Sequence, residues 1–192
     1  MSENYYDSNA DDFFNGTVNV DMSPQYEDFL NEIPKNGHIL DAGCGSGRDT
    51  LAFKSLGYKV TSFDGSIEMC RLASNHTGQE VLHLQFQEID FKETFDGIWA
   101  SASLLHIPTS EIDDVLKRLK KSLKKGGAFY ASFKYGSFEG ERNGRYFYDL
   151  TDITAKELFT KNGFNIKKIW FTQDARKERE DEKWVNILAI KD

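Results

Sequence analysis

The stretch "HILDAGCGSGRDT", residues 38–50, constrains this chain more than any other. An apolar run closes on an acid, Asp41, and is followed at once by Gly43, Gly45 and Gly47. Every second side chain is therefore missing just where a buried strand ends. Glycine enters the left-handed backbone region without a Cβ penalty, so such a turn bends sharply and presents N–H groups to a ligand beside it. From residue 24 onward helical and strand periods alternate, the pattern of a parallel sheet with helices on both faces. In open sheets of that kind ligands bind beyond the carboxyl ends of the strands, near the point where strand order reverses.

The periodicity predicts a helix over 24–33, with Tyr26, Phe29, Leu30 and Ile33 on one side, then a strand over 38–43 and a helix over 46–57 closed by Gly57. A second strand over 58–64 ends at Asp64, and a helix over 66–76 has Ser66 as its cap. Third and fourth strands are expected over 81–89 and 95–102. An amphipathic helix over 110–125 follows, capped by Ser110 and ended by Gly126 and Gly127. A fifth strand over 128–134 leads into a long loop over 135–150, rich in glycine, aromatics and charge. A helix over 154–162 and two antiparallel strands over 164–175 and 184–192 complete the chain. The expected fold class is α/β, a three-layer sandwich around a seven-stranded, mostly parallel sheet ending in an antiparallel hairpin. At 192 residues one core is the default, so residues 1–192 read as a single domain.

Charge narrows the partners. Asp and Glu number 31 against 24 Lys and Arg, and the net of −7 repels phosphate backbones and anionic membranes at long range. No nucleic acid partner is expected. The basic run "KRLKKSLKK" at 117–125 does not reverse this, because Ile112, Val115, Leu116, Leu119 and Leu123 recur at helical spacing and make its lysines the wet face of a helix. The first residues show no basic stretch followed by an apolar one, and no segment is long enough to span a bilayer, so a cytoplasmic location away from membranes is expected. Cys44 and Cys70 form neither a disulfide framework nor a zinc pattern, and no metal is expected.

The ligand follows from polarity. An acid ending the second strand, Asp64, is suited to accept both hydroxyls of a ribose, and with the glycine turn it describes a nucleoside site. A dinucleotide fingerprint requires glycines at G-x-G-x-x-G, but the last position is Arg48 counted from Gly43 and Thr50 counted from Gly45. Asp41 just before the turn would repel a pyrophosphate, whereas it could help to hold a cationic amino-acid tail. These features favour S-adenosylmethionine and leave a nicotinamide-dependent oxidoreductase as the weaker reading.

"LDAGCGSGRD" resembles the first motif of class I S-adenosylmethionine-dependent methyltransferases. The similarity runs on through "YYDSNADDFF", "FDGSIEM", "FDGIWASASLLHIP", "LKKGGAFYASFK" and "GRYFYDLT". Within that family the chain is similar to a small bacterial-type branch grouped loosely with tellurite-resistance methyltransferases. The resemblance implies a Rossmann-like fold with S-adenosylmethionine as cofactor. It implies that Asp41 lies near the ligand's amino group, that Gly43, Gly45 and Gly47 pack on its methionine part, and that Asp64 binds the ribose with Gly65 and Ser66 beside it. Glu88, Ile89 and Asp90 would flank the adenine, with Ile89 over the ring and one of the two acids at its amine. Ser101 would contact the methionine side. Residues 1–23 would form a lid in which Tyr5, Tyr6, Phe13 and Met22 close over ligand or acceptor; equally, these aromatics could simply pack a helix onto the sheet.

Methyl transfer from a sulfonium needs alignment and exclusion of water more than a base, which fits the lack of any Ser-His-Asp or Cys-His constellation in the sequence. His106 is the one histidine expected near the pocket and the candidate base or acceptor contact; His38, His76 and His83 are read as structural. The place after strand four reads "SASLLHIP" instead of an Asn/Asp-Pro-Pro-aromatic motif, which demotes methylation of nucleic acid bases. The acceptor-side loop, 135–151, offers Lys134, Arg142, Arg145, Tyr146 and Tyr148 to grip an anionic or aromatic small molecule, unless Arg145 pairs with a neighbouring acid. The expected activity is methyl transfer to a small-molecule acceptor. The alternative is a regulatory protein that holds S-adenosylmethionine or S-adenosylhomocysteine without transfer. Oligomeric state has no signature in the sequence.

Overall fold

The computed structural model describes residues 2–176 and 179–192. Its frame is a seven-stranded sheet in the order β3-β2-β1-β4-β5-β9-β8. The strands are β1 (His38–Ala42), β2 (Lys59–Asp64), β3 (Leu82–His83), β4 (Phe95–Ala100), β5 (Leu123–Lys134), β8 (Phe164–Gln173) and β9 (Lys183–Lys191). A separate two-stranded ribbon pairs β6 (Glu139–Arg142) with β7 (Arg145–Tyr148). β1 to β5 run parallel, and β9 lies antiparallel between β5 and β8. Strand order turns back at β1 and β4, so the chain opens a crevice at their carboxyl ends, where the glycine turn leaves β1.

The central strands are apolar on both faces and feed two cores in strict alternation. Leu40, Ile98 and Phe129 point into one core, against α6 (Thr109–Ser122) and α7 (Asp152–Lys161). Ile39, Trp99 and Tyr130 point into the other, against α3 (Ser23–Leu30) and Phe53 of α4 (Arg48–Ser55). Trp99 and Tyr130 are neighbours across β4 and β5 and stack with centroids 3.8 Å apart. The period of two therefore sets which residues support the sheet from each side.

Three expectations need correction. The strand over 81–89 shrinks to Leu82–His83, because Gln85 caps a short 3-10 turn over Phe86–Glu88, with Glu88 Oε2 accepting from the Gln85 N–H at 2.8 Å. The helix over 110–125 ends at Ser122, and its cap position is Pro108 instead of Ser110, with no side-chain cap bond. Leu123 already pairs with Phe95, and Gly126, at φ +76°, lies where β5 slips register against β4; the glycine pair shapes a bulge and does not end a helix. The loop over 135–150 contains the β6–β7 hairpin, turned by Asn143 (φ +50°) and Gly144 (φ +75°), the Asn-Gly pair that a tight two-residue hairpin favours. The N-terminal region forms α1 (Ser2–Ser8) and α2 (Ala10–Thr17). Both pack on α5 (Ile67–Thr77): Asp7 accepts from Ser66 Oγ at 2.5 Å at the start of that helix, and Phe14 meets His76 edge-on at its end.

Among the described residues no helix is long and apolar enough to cross a membrane, and no cluster of His, Cys, Asp or Glu could hold a metal ion.

Candidate functional site

A cavity of about 390 Å³ opens at the carboxyl ends of β1, β2 and β4, roofed by α1, α2 and the hairpin. Its floor is the glycine turn. Gly43 sits at φ +73°, and a Cβ there would lie 2.6 Å from Cβ of Ser103. The turn thus closes against the loop after β4, where Ser103 Oγ donates to the Ala42 carbonyl at 2.7 Å. That loop is itself strained: Ala102 has φ +52°, rare for a residue with a side chain, and its N–H is held by Ser132 Oγ at 2.9 Å. Ser101 beside it lines the cavity.

Asp64 ends β2 and accepts the N–H of Gly45 and of Ser66, each at 2.9 Å. Burial raises its pKa, while those N–H groups and that of Gly65 pull it down. Asp41 is buried below the turn, takes a hydrogen bond from Thr50 Oγ1 at 2.5 Å, and is pushed up to about 8 by burial and then by the charge of Asp49. Burial acts on Asp49 in the same sense, but the Arg48 guanidinium outweighs it and holds this carboxylate below its usual range. Four donor atoms converge there: Arg48 Nε and Nη2 at 2.7 and 2.9 Å, the Tyr26 hydroxyl at 2.6 Å and Trp99 Nε1 at 2.8 Å. Asp49 locks α3, α4 and β4 together, and its charge adds to burial in raising the Asp41 carboxyl.

The roof is built from distant segments. His106 Nδ1 lies 2.7 Å from the Tyr146 carbonyl, which can only accept, so this nitrogen carries the proton. Nε2 is then the acceptor for the Tyr6 hydroxyl at 2.8 Å. Burial, reinforced by the nearby charges of Arg145 and Lys134, lowers the imidazole to about 4, and His106 is neutral at physiological pH. Tyr6 is in turn raised by burial, against the pull of Arg145, whose Nη1 donates to its hydroxyl at 3.3 Å. Phe13 of α2 meets Tyr6 edge-on at 4.9 Å and approaches the site of the missing Gly45 Cβ to 3.3 Å, joining roof to floor.

The structure gathers Asp41, Gly43, Gly45, Asp64, Gly65, Ser66, Ser101, Tyr6, His106, Arg145 and Tyr146 around this cavity. Other expected residues lie elsewhere. Gly47 faces α5, where a Cβ would stand 2.7 Å from Thr77 Cγ2, so this glycine serves helix packing. Glu88, Ile89 and Asp90 are displaced because β3 is short. Glu88 closes the cap on Gln85, Ile89 is in the core, and Asp90 pairs with Lys121 on the surface. Gln85, Phe86 and Gln87 line the cavity in their place. Tyr5 stacks on Arg145 behind the cavity wall, and Arg142 turns away to pair with Asp149 at 2.7 Å. His38, His76 and His83 stand outside the lining. Sequence reasoning missed Asp49, although its place two residues after the last glycine was visible, and it missed Gln85.

A Rossmann-like sheet with a glycine turn and an acid on adjacent strand ends defines a nucleoside-binding α/β protein. A family model described as "Methyltransferase domain" matches residues 39–127, from β1 into β5. An uncharacterized methyltransferase of Staphylococcus carnosus is 29% identical over 151 residues, covering 73% of this chain and 72% of that one. The probable S-adenosyl-L-methionine-dependent methyltransferase TehB of Haemophilus influenzae is 27% identical over 94 residues, 46% of this chain and 33% of the relative. Among solved structures, the Burkholderia thailandensis 1,6-didemethyltoxoflavin-N1-methyltransferase, bound to 1,6-didemethyltoxoflavin and S-adenosylhomocysteine, superposes with a TM-score of 0.83 at 22% identity. It covers 99% of this chain and 87% of that one. From β1 into β5 the chain is thus similar to S-adenosylmethionine-dependent methyltransferases.

Proposed function

We propose that this chain transfers a methyl group from S-adenosylmethionine to a small-molecule acceptor. The observation that carries the reading is a cavity of about 390 Å³ with the glycine turn and Asp64 on its floor and a neutral histidine and tyrosine in its roof. That volume suits small ligands. The Burkholderia protein of similar fold binds 1,6-didemethyltoxoflavin together with S-adenosylhomocysteine, which supports a reading with a small acceptor.

The residues present fit the cofactor. Gly43 and Gly45 offer a wall without Cβ atoms, and Asp41 and Asp64 both line the cavity. Asp64 would hold the ribose hydroxyls, with Gly65 and Ser66 beside it. Asp41 would face the cationic amino-acid end, together with Ser101. Gln85, Phe86 and Gln87 would border the base, with the Phe86 ring supplying an apolar surface. The cofactor supplies a methyl group already activated by a sulfonium, so the protein's task is alignment and the exclusion of water.

Where the acceptor atom carries a proton, Tyr6 and His106 provide its path. The tyrosine oxygen takes the acceptor's proton as its own proton passes to His106 Nε2, while Nδ1–H stays on the Tyr146 carbonyl. A neutral imidazole with a free-energy preference for staying neutral is a base only while this relay is aligned, so Tyr6 is the residue in contact with acceptor and His106 acts through it.

Incubation of the protein with methyl-labelled S-adenosylmethionine and a metabolite extract tests the proposal. Label should appear in products that pass an ultrafiltration membrane and not in retained protein or nucleic acid. Label confined to the retained fraction contradicts a small-molecule acceptor, and tight cofactor binding with no label transferred across varied extracts would point to a ligand-holding regulatory protein.

A further inference from the structure

We propose that Arg145 recognises an oxyanion, a carboxylate or phosphate, carried by the methyl acceptor. This rests on the methyltransferase reading and adds the acceptor's chemical class.

Each of the other cationic side chains around the cavity faces a carboxylate of the protein itself. Arg48 is held bidentately by Asp49, and Arg176 reaches Asp174 at 2.6 Å. Lys134 meets Glu182 at 2.5 Å, and Arg179 lies 3.7 Å from the same carboxylate. Arg145 lines the cavity with no carboxylate partner among the described residues, and its buried Nε has no protein acceptor. Within the protein its recorded hydrogen bond is the long one to Tyr6, whose hydroxyl is committed to His106.

The contrast with Arg142 sharpens the point. The two arginines stand directly opposite across the hairpin turn, where like charges repel. Arg142 is relieved by Asp149 and lies 3.7 Å from the centre of the Phe138 ring. Arg145 has no such relief. Its guanidinium is packed between aromatic rings, 4.5 Å from the centre of Tyr5 and 5.1 Å from that of Phe147. Ring contacts use the faces of the guanidinium and hold it in place; they leave the N–H edge, the part that matches a planar carboxylate or a phosphate, for another acceptor. A rigid, partly desolvated, unpaired arginine beside the proton path is a recognition element for an anion.

The test uses the whole chain saturated with S-adenosylhomocysteine and three probes that share a ring: benzoate, phenyl phosphate and neutral benzamide, each titrated calorimetrically. One of the anions should bind roughly tenfold or more tightly than benzamide, as charge-assisted hydrogen bonds require, and the winning anion identifies the group. Arg145→Gln should erase the preference while leaving S-adenosylhomocysteine affinity unchanged. Arg145→Lys, which keeps the charge but loses the fork, should retain part of it. Equal binding of anions and benzamide by the native chain overturns the proposal even if Arg145→Gln does not fold. So does an Arg145→Gln chain that still prefers the anion. Failure of the native chain to bind S-adenosylhomocysteine strikes the methyltransferase reading instead, and is seen before any probe is added.

Discussion

The floor and the roof of the cavity are built by opposite means. The floor comes from two short segments at the ends of β1 and β2, where Asp64 accepts the backbone N–H groups of Gly45 and Ser66 and Asp41 lies below the turn beside Thr50. The roof is assembled from side chains of α1, the segment after β4 and the β6–β7 hairpin, so that Tyr6 reaches His106 across 100 residues and Arg145 across 139. The floor is preorganised by backbone geometry that tolerates little change. The roof depends on side-chain contacts between segments far apart in the chain. In the function proposed above, the floor takes the cofactor and the roof takes the acceptor.

The largest expected effect is on the floor. Gly43→Ala places a Cβ at φ +73° and 2.6 Å from Ser103. It should cost roughly 2 to 5 kcal/mol in denaturant unfolding through the left-handed penalty and overpacking, and abolish cofactor binding. An alanine variant of native stability would break the claim that this turn is rigid.

The roof should respond to acid. His106 titrates near 4 in the fold against an ordinary 6.5. On acidification the unfolded chain takes up the proton first, so the contribution of the neutral histidine is present above pH 6.5 and is lost between 6.5 and 4. The loss is on the order of 3 kcal/mol. His106→Gln should flatten that part of the stability curve; a wild-type curve already flat there would remove the buried neutral histidine.

Asp64→Ala should weaken S-adenosylhomocysteine binding by roughly 1 to 3 kcal/mol, the range for lost hydrogen bonds to a charged group. Calorimetry on the folded variant reads it directly, and unchanged affinity would take Asp64 out of the site. Asp41 tests the floor with the opposite sign of pH dependence. Its carboxyl is raised from 3.8 to about 8, so its stabilising contribution is full below pH 3.8 and disappears as pH rises through 8. Asp41→Asn should therefore stabilise the ligand-free protein by ~1 kcal/mol or more at pH 8.5, while weakening cofactor binding. A destabilised Asn variant at that pH would mean that the fold stabilises the charged carboxylate and that burial does not raise its pKa.

Smallest of all, Asn143→Ala replaces a residue at φ +50° in the hairpin turn and should lower stability by about 1 kcal/mol. A larger loss, with the Tyr6–His106 contact broken, would show that the roof is more tightly coupled than its separate segments suggest.

This division also explains what the sequence made legible. The floor was readable because its determinants are local: "HILDAGCGSG" predicts a strand, a bare turn and its acid within ten residues, and Asp64 ends the next strand. The sheet was readable too, since the period of two marks its buried strands. The β3 region was misread because "VLHLQFQEI" alternates like a strand, while Gln85 and Glu88 form a reciprocal cap that periodicity does not register. The hairpin carried its signal in Asn143-Gly144, obscured by the surrounding charge and aromatics. The pairing of Tyr6 with His106 had no local signature, because it exists only when α1 lies across the mouth of the sheet.

The most direct test is calorimetric titration of the purified protein with S-adenosylhomocysteine, with NADH as the control ligand. Saturable one-to-one binding of S-adenosylhomocysteine, and none of NADH, is the result expected of a floor built from the glycine turn, Asp41 and Asp64. Binding of NADH in preference, or of neither ligand, would contradict the assignment of the cavity.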